Sequence, residues 1–166
     1  MKIAMFSTKS YDQEYFEKHS NDHNYSFSYF ETSLNKDTAN LTIGFDIVCV
    51  FVNDKIDKDT IEILSRNGIR LIALRCAGYN NVDIISAKSN NIKVVRVPAY
   101  SPEAVAEHSL ALILTLNRKT HKAYNRIREG NFSLKNLIGF NLYGKTVGVI
   151  GTGQIGATFC RIIKGF

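Results

Sequence analysis

The chain has 166 residues, of which 45% are hydrophobic and 22% are charged. These values exclude a disordered or fibrous protein, and the length suffices for a domain of ordinary size with a substantial core. The formal net charge of +6 would suit a nucleic-acid partner. However, the basic residues concentrated in 118–128 alternate with no aromatic platform and match no recognised nucleic-acid motif. They favour a solvated or packed helix face, and we expect no nucleic-acid partner.

No apolar run approaches the roughly 20 residues that a membrane-spanning helix requires, so the sequence predicts no membrane partner. The cysteines lie in apolar segments without Cys-x-x-Cys spacing, which is typical of reduced, buried thiols in a cytoplasmic protein. The histidines lack metal-ligand spacing, and no metal site is predicted. These residues are Cys49, Cys76, Cys160, His19, His23, His108 and His121.

Strand and helix signals alternate along the first hundred residues. Ser10 to Gln13 resembles a capping box at the start of a helix, and Gly68 suits the carboxyl end of the next one. The alternation predicts an α/β fold in which helices cover both faces of a parallel, flavodoxin-like sheet. The predicted strands are 2–7, 25–30, 46–52, 69–77 and 93–97, and the predicted helices are 10–19, 57–67 and 82–89.

A longer helix follows these elements. Ser101 suits its N-cap, Pro102 suits its first helical position, and the pattern continues to about Glu129. The apolar run from Leu110 to Leu116 predicts that this part is buried. We interpret the helix as a bridge between two domains, with residues 1–99 in the first domain and residues 100–166 in the second.

A glycine-rich turn follows residues 145–150, which resemble a buried strand. It reads Gly-x-Gly-x-x-Gly, at Gly151, Gly153 and Gly156, and precedes apolar residues at helical spacing. This is the pattern of a dinucleotide phosphate-binding turn, in which the three glycines allow a tight turn, close approach of the pyrophosphate, and close helix packing. An ordinary strand-to-helix connection is the alternative. The acidic residue that holds the ribose, about 20 positions further on, would fall near or beyond Phe166.

Two other loops follow predicted strands. The loop around Gly78 has backbone N–H groups that suit a small carboxylate, although a glycine turn capped by Asn80 or Asn81 explains it equally well. Tyr100 either directs its hydroxyl group into an interdomain cleft or packs at the hinge. His108 follows Glu107 directly, and helical neighbours do not face one another, so a structural histidine is favoured over an acid–base pair.

Five segments together resemble a known family. They are Tyr11-Asp12, 49–54 (CVFVND), 74–83 (LRCAGYNNVD), 95–108 (VRVPAYSPEAVAEH) and 143–156 (YGKTVGVIGTGQIG). In this order they resemble the D-isomer-specific 2-hydroxyacid dehydrogenases, and the fermentative D-lactate dehydrogenases most closely. The resemblance implies a flavodoxin-like substrate domain followed by the start of a Rossmann NAD-binding domain.

The resemblance also implies roles for individual residues. The backbone at Ala77 and Gly78 would bind the carboxylate of a small 2-keto or 2-hydroxy acid such as pyruvate or D-lactate, and Tyr100 would shape the pocket. The residues implied to lie along NAD are Val105 at the nicotinamide side and Gly151, Gly153, Gln154, Ile155 and Gly156 at the pyrophosphate. The full-length form would be a homo-oligomer.

The catalytic arginine, glutamate and histidine of this family follow the glycine turn, and none can be placed in this sequence. The resemblance therefore implies the N-terminal part of an NAD-dependent D-lactate dehydrogenase, inactive by itself. One alternative is a non-catalytic binding or interaction module derived from such an enzyme. A receiver-like signalling domain would need acidic residues directly after the first strand, where Phe6-Ser7-Thr8 has none. The choice of 2-hydroxy acid, and of NAD or NADP, stays open.

Overall fold

The computed structural model describes residues 1–20 and 24–166, which divide into two compact units, Met1–Pro98 and Ala99–Phe166. The first unit contains five strands, three α-helices and a short 3₁₀ helix among its described residues. In chain order these are β1 (Lys2–Met5), α1 (Ser10–Ser20), β2 (Ser26–Tyr29), the 3₁₀ helix (Ala39–Thr42), β3 (Ile47–Val50), α2 (Lys58–Arg66), β4 (Leu71–Leu74), α3 (Ile84–Ser89) and β5 (Lys93–Arg96).

The strands form one parallel sheet in the order β2-β1-β3-β4-β5. This is the flavodoxin-like order, and it confirms the predicted α/β fold. Every residue of the central strand β3 is buried, as expected for a parallel strand covered on both faces. One face packs into a large core that includes Phe6, Val48 and Ile72, and the opposite face packs Met5 and Cys49 against partly buried aromatic residues.

Side chains cap the helices of the first unit. Asp57 accepts a hydrogen bond from the Thr60 N–H group at α2, and Asp83 accepts one from the Ser86 N–H group at α3. The predicted capping box at α1 is wrong in its partners. The N–H group of Lys9 donates to the carboxylate of Asp12, because the helix begins one residue earlier than that motif requires.

The second unit contains α4 (Pro102–Arg118), α5 (Thr120–Arg128) and α6 (Gln154–Ile163), and α4 packs against α6. Ser101 accepts a hydrogen bond from the Ala104 N–H group, which confirms the predicted N-cap. The predicted single helix to residue 129 is wrong. Lys119 adopts a left-handed conformation with φ 54°, which breaks the helix. Its Nζ donates to the carbonyl of Asn136, so the loop that follows α5 stabilises the break.

Three other predictions for the second unit are wrong. Residues 145–150 form no strand in the described chain, since no neighbouring strand pairs with them, and Val147 is 43% exposed. The run from 110 to 116 is not buried, because Leu112 and Leu116 are at least half exposed. Cys160 is only partly buried. The three helices offer too little surface to cover these apolar residues.

Two arginines of α5 form hydrogen bonds within the second unit. Arg126 donates to the carbonyls of Ser133 and Lys135, and Arg128 donates to the hydroxyl of Tyr124. Lys122 and Arg128 are exposed, which agrees with the predicted solvated helix face. No helix of the described residues is both long enough and apolar enough to cross a membrane.

Candidate functional site

A buried carboxylate connects three loops at the carboxyl edge of the sheet. Asp54 is 1% exposed and follows β3. It accepts hydrogen bonds from the Ser7 hydroxyl at 2.7 Å, the Leu34 N–H group at 2.7 Å and the Phe51 N–H group at 2.6 Å. A buried charge is tolerated when it is hydrogen-bonded in this way. Because ligands of open α/β folds bind at this edge, Asp54 fixes the loops that would surround one.

The Asn81 side chain extends this network to the loop after β4. Its Nδ2 donates to the carbonyl of Phe51 at 2.9 Å and to that of Asp54 at 3.0 Å. The sequence also allowed a glycine turn capped by Asn80 or Asn81, but the Asn81 side chain donates outside that turn. Asn81 instead ties the loop after β4 to the loop after β3.

A buried guanidinium lies under the same edge. Arg75 donates to the carbonyls of Phe6 at 3.0 Å and Ser7 at 3.2 Å. Its Nε lies 3.6 Å from a carboxylate oxygen of Asp12, and its guanidinium carbon lies 5.4 Å from the centre of the Phe51 ring. Arg75 therefore binds the ends of neighbouring strands to α1, while its buried Nε has the ion pair with Asp12 and no hydrogen-bond partner among the described residues.

The predicted substrate loop follows directly. Its Ala77 carbonyl accepts a hydrogen bond from Arg96 at 3.0 Å, and its Cys76 carbonyl accepts one from the Val97 N–H group at 3.3 Å. A Cβ at Gly78 would have no neighbour within 4 Å, so one side of the loop is open. An open loop held by its carbonyl groups leaves N–H groups available for an anion.

Cavities of the first unit lie near these loops. One of about 280 Å³ is at the carboxyl ends of β1, β2 and β3, and its lining includes Ser7, Tyr11 and Asn53. A larger one of about 420 Å³ lies along β5 and α3 and reaches the substrate loop only through Tyr79 and Arg96. Such folds bind ligands at the carboxyl ends of their strands. We therefore consider the smaller cavity the better candidate for a ligand-binding site.

The glycine turn combines a left-handed backbone at its first glycine with a close backbone approach at its last. Gly151 has φ +89°, a conformation that L side chains rarely adopt. A Cβ at Gly156 would collide with the carbonyl oxygen of Gly151, so helix α6 approaches the turn as closely as the motif requires. Gly153 has open space around its Cβ position. Among the described residues no side chain caps α6, which leaves its N-terminal N–H groups free for an anion.

The other predicted cofactor and substrate residues of the second unit lie on or beside its helices. Gln154 and Ile155 form the exposed first turn of α6, and Val105 is partly buried on α4. Tyr100 is 60% exposed just before α4. His108 is exposed on α4, and its structural role stays a prediction.

The two buried thiols offer no activated nucleophile. Burial raises the pKa of Cys49 in spite of the nearby Arg75 guanidinium. Burial also raises the pKa of Cys76, so both groups are protonated at neutral pH. No cluster of metal-ligating side chains occurs in residues 1–20 and 24–166, and His23 lies outside the described residues.

A sequence profile described as the D-isomer specific 2-hydroxyacid dehydrogenase, catalytic domain, matches residues 3–150. The chain belongs to this family. A 2-hydroxyacid dehydrogenase homolog of Haemophilus influenzae is 55% identical over the whole chain, which covers 50% of that protein. D-lactate dehydrogenase of Escherichia coli is 51% identical over the whole chain, which again covers 50% of it. The chain thus spans about half the length of the curated relatives it matches.

Solved structures agree with the family assignment. The apo structure of D-lactate dehydrogenase from Escherichia coli has a TM-score of 0.93 and 50% identity, with 99% of this chain and 52% of that chain covered. D-lactate dehydrogenase from Aquifex aeolicus, complexed with NAD and lactic acid, has a TM-score of 0.76 and 30% identity. There 98% of this chain and 48% of that chain are covered. The predicted fold and the predicted dehydrogenase family are confirmed.

Proposed function

We propose that this chain is the N-terminal part of an NAD-dependent D-lactate dehydrogenase, which transfers a hydride reversibly between NADH and pyruvate. The observation that carries the proposal is 51% identity to a D-lactate dehydrogenase over the whole chain. The open loop at Gly78 and the glycine turn at Gly151 support it, since a 2-oxo acid carries a carboxylate and the cofactor carries a pyrophosphate.

In this proposal the first unit binds the substrate. The backbone N–H groups of Ala77 and Gly78 hold the carboxylate. The hydroxyl of Tyr100, a residue of the second unit, is proposed to shape the pocket. Backbone donors suit this task because they are fixed by the fold and lose little entropy on binding. Asp54 and Asn81 keep the neighbouring loops in place through the hydrogen bonds described above.

The second unit holds the cofactor. NAD supplies or accepts the hydride, and the residues of this chain position it. Gly151, Gly153 and Gly156 form the turn, Gln154 and Ile155 offer the first N–H groups of α6 to the pyrophosphate, and Val105 lies at the nicotinamide side. The open space at Gly153 and the close approach at Gly156 fit this role.

A fusion protein tests the proposal. Residues 1–166 are joined to the second half of the Escherichia coli D-lactate dehydrogenase, which is aligned to begin after Phe166. We expect the fusion to oxidise NADH with pyruvate and to form D-lactate, and we expect the 166-residue chain alone to show no activity above background. NADH absorbance measures the rate, and chiral chromatography identifies the product. A folded fusion without pyruvate reduction would contradict the proposal and favour a non-catalytic binding module.

Two glycine variants of the fusion test the cofactor site. Gly153→Ala places a methyl group where the pyrophosphate would approach, and we expect the KM for NADH to rise about tenfold or more, which corresponds to at least ~1.4 kcal/mol. Gly148→Ala is the matched control, because its Cβ position is also open but lies before the turn. Equal KM values in the two variants would show that the turn does not hold the cofactor.

A further inference from the structure

One arginine gathers three backbone carbonyl groups at the carboxyl end of β5. The Nη1 atom of Arg96 donates to the carbonyl oxygens of Ala77 at 3.0 Å, Pro98 at 3.1 Å and Val97 at 3.4 Å. Its guanidinium carbon lies 5.5 Å from the centre of the Tyr79 ring. A guanidinium suits this task because it is always charged and its nitrogen atoms only donate. The side chain thus connects the loop after β4 to the peptide after β5.

The bond to Ala77 sets the orientation of the peptide that joins Ala77 to Gly78. In a planar trans peptide the carbonyl and N–H groups point in opposite directions, so the Gly78 N–H group points away from the guanidinium. Across residues 1–20 and 24–166, neither this N–H group nor that of Ala77 has a hydrogen-bond acceptor. A cation on the carbonyl also polarises the peptide and makes its N–H group a stronger donor. Gly78 therefore presents an oriented, polarised and free donor.

We propose that Arg96 is a positioning residue for the substrate carboxylate, acting through the Ala77–Gly78 peptide without touching the substrate. This inference rests on the proposed function, in which the loop binds the carboxylate. A side chain that orients and polarises an anion-binding donor controls the affinity for the anionic substrate. A side chain that only stabilised the fold would affect the substrate and the cofactor alike.

Kinetics of the fusion protein distinguish these two roles. Arg96→Gln removes the cation, and we expect the KM for pyruvate to rise about tenfold, or ~1.4 kcal/mol, with kcat and the KM for NADH unchanged. Arg96→Lys keeps the charge but loses the guanidinium, and an intermediate KM is expected. Arg70→Gln is the matched control, because Arg70 is exposed and lies just before β4, at the opposite edge of the sheet.

A second measurement needs no activity. Ala77–Gly78 is the only Ala–Gly dipeptide in the sequence. If the protein is labelled with carbon-13 at alanine carbonyls and with nitrogen-15 at glycine, a carbonyl–amide NMR spectrum therefore contains one correlation signal, from this peptide. In the 166-residue chain we expect Arg96→Gln to shift the Ala77 carbonyl and Gly78 amide resonances. The same labels in Arg70→Gln should report the wild-type positions.

Two results would overturn the role of Arg96. One is a parallel change of both KM values and kcat in Arg96→Gln. The other is a Gly78 signal that stays at its wild-type position in that variant. An inactive parent fusion would instead contradict the proposed function, and the peptide signal would then decide by itself whether Arg96 orients the loop.

Discussion

At the scale of single residues, buried charges fix the loops at the carboxyl edge. Asp54 receives three hydrogen bonds, and Arg75 is shared among three carbonyl groups, a carboxylate and an aromatic ring. Removing one partner of such a group leaves a buried charge without compensation, which costs more than the contact itself contributes. These residues therefore fix the conformation of the loops at the carboxyl edge of the sheet. Ligands of such folds bind at this edge, so we infer that the fixed conformation serves binding.

The partly exposed cap of helix α2 gives a pH prediction. The Thr60 N–H group and then the Thr60 hydroxyl lower the pKa of Asp57, so the ionised carboxylate stabilises the folded state. This stabilisation is present above the ordinary aspartate pKa of about 3.9, and it is lost as the pH falls through the lower pKa of the folded state. We expect Asp57→Ala to reduce the free energy of unfolding by about 1 kcal/mol at neutral pH and by less near pH 2.

Urea unfolding at both pH values measures the difference. Asp37→Ala is the control, since Asp37 is exposed and lies outside the helices and strands, and it should change the free energy of unfolding little at either pH. A loss in Asp57→Ala that is the same at neutral and acid pH would show that the ionised carboxylate does not provide the cap.

At the scale of the elements, two helices of the first unit end in the same way with different residues. Gly68 follows α2 with φ +89°, and Asn91 follows α3 with φ +55°. A left-handed residue lets the chain leave the helix and satisfies its last carbonyl groups. Glycine adopts this conformation without cost, whereas asparagine adopts it at a small cost.

Substitutions at these two positions should act in opposite directions. Gly68→Ala should lower the free energy of unfolding by about 1 kcal/mol, because the left-handed conformation is strained for alanine. A steric clash does not contribute, since the Cβ would have open space around it. Asn91→Gly should raise it by a few tenths of a kcal/mol, up to about 0.5. The midpoints of chemical denaturation measure both, and a change of the same sign in the two variants would contradict the common role.

The sequence predicted elements whose signals are local. The five strands, the Gly68 turn and the Gly78 loop all follow from neighbouring residues. The break at Lys119 could not be predicted, because the group that stabilises it is the carbonyl of Asn136, 17 positions away. Residues 145–150 would form a strand only if a neighbouring strand paired with them. The hydrophobic pattern of the segment does not show whether such a neighbour is present.

The same distinction applies to the candidate site. The glycine turn and the substrate loop carry recognisable motifs, but the roles of Asp54 and Arg96 depend on distant partners. Asp54 meets Ser7, 47 positions away, and Arg96 meets Ala77, 19 positions away. A polar residue directly after a buried strand, as at Asp54, is the one sequence signal that could have indicated such a role.

At the scale of the whole molecule, the two units differ in how well they bury their apolar residues. Of the fully buried hydrophobic residues in the described chain, all except Ala106 lie in the first unit. The second unit leaves large apolar side chains exposed in its loop segments: Phe132 (77%), Leu134 (79%), Ile138 (84%), Tyr143 (87%) and Ile150 (105%). If these side chains lie next to one another, they form a surface of the kind that binds protein or aggregates, and we expect this surface to drive association.

The 166-residue chain should therefore self-associate through residues 99–166, whereas residues 1–98 should be monomeric because their sheet closes its own core. Each exposed apolar side chain gains about 25 cal/mol per Å² when it is buried, and the unpaired segment 145–150 can pair with a second chain.

Size-exclusion chromatography with light scattering measures the mass of both chain lengths over a range of concentrations. Ile138→Asp in the longer chain should shift it toward the monomer, and Glu129→Asp, which leaves the apolar surface unchanged, is the control. A monodisperse monomer for the unaltered 166-residue chain would show that the exposed residues of the second unit do not drive association.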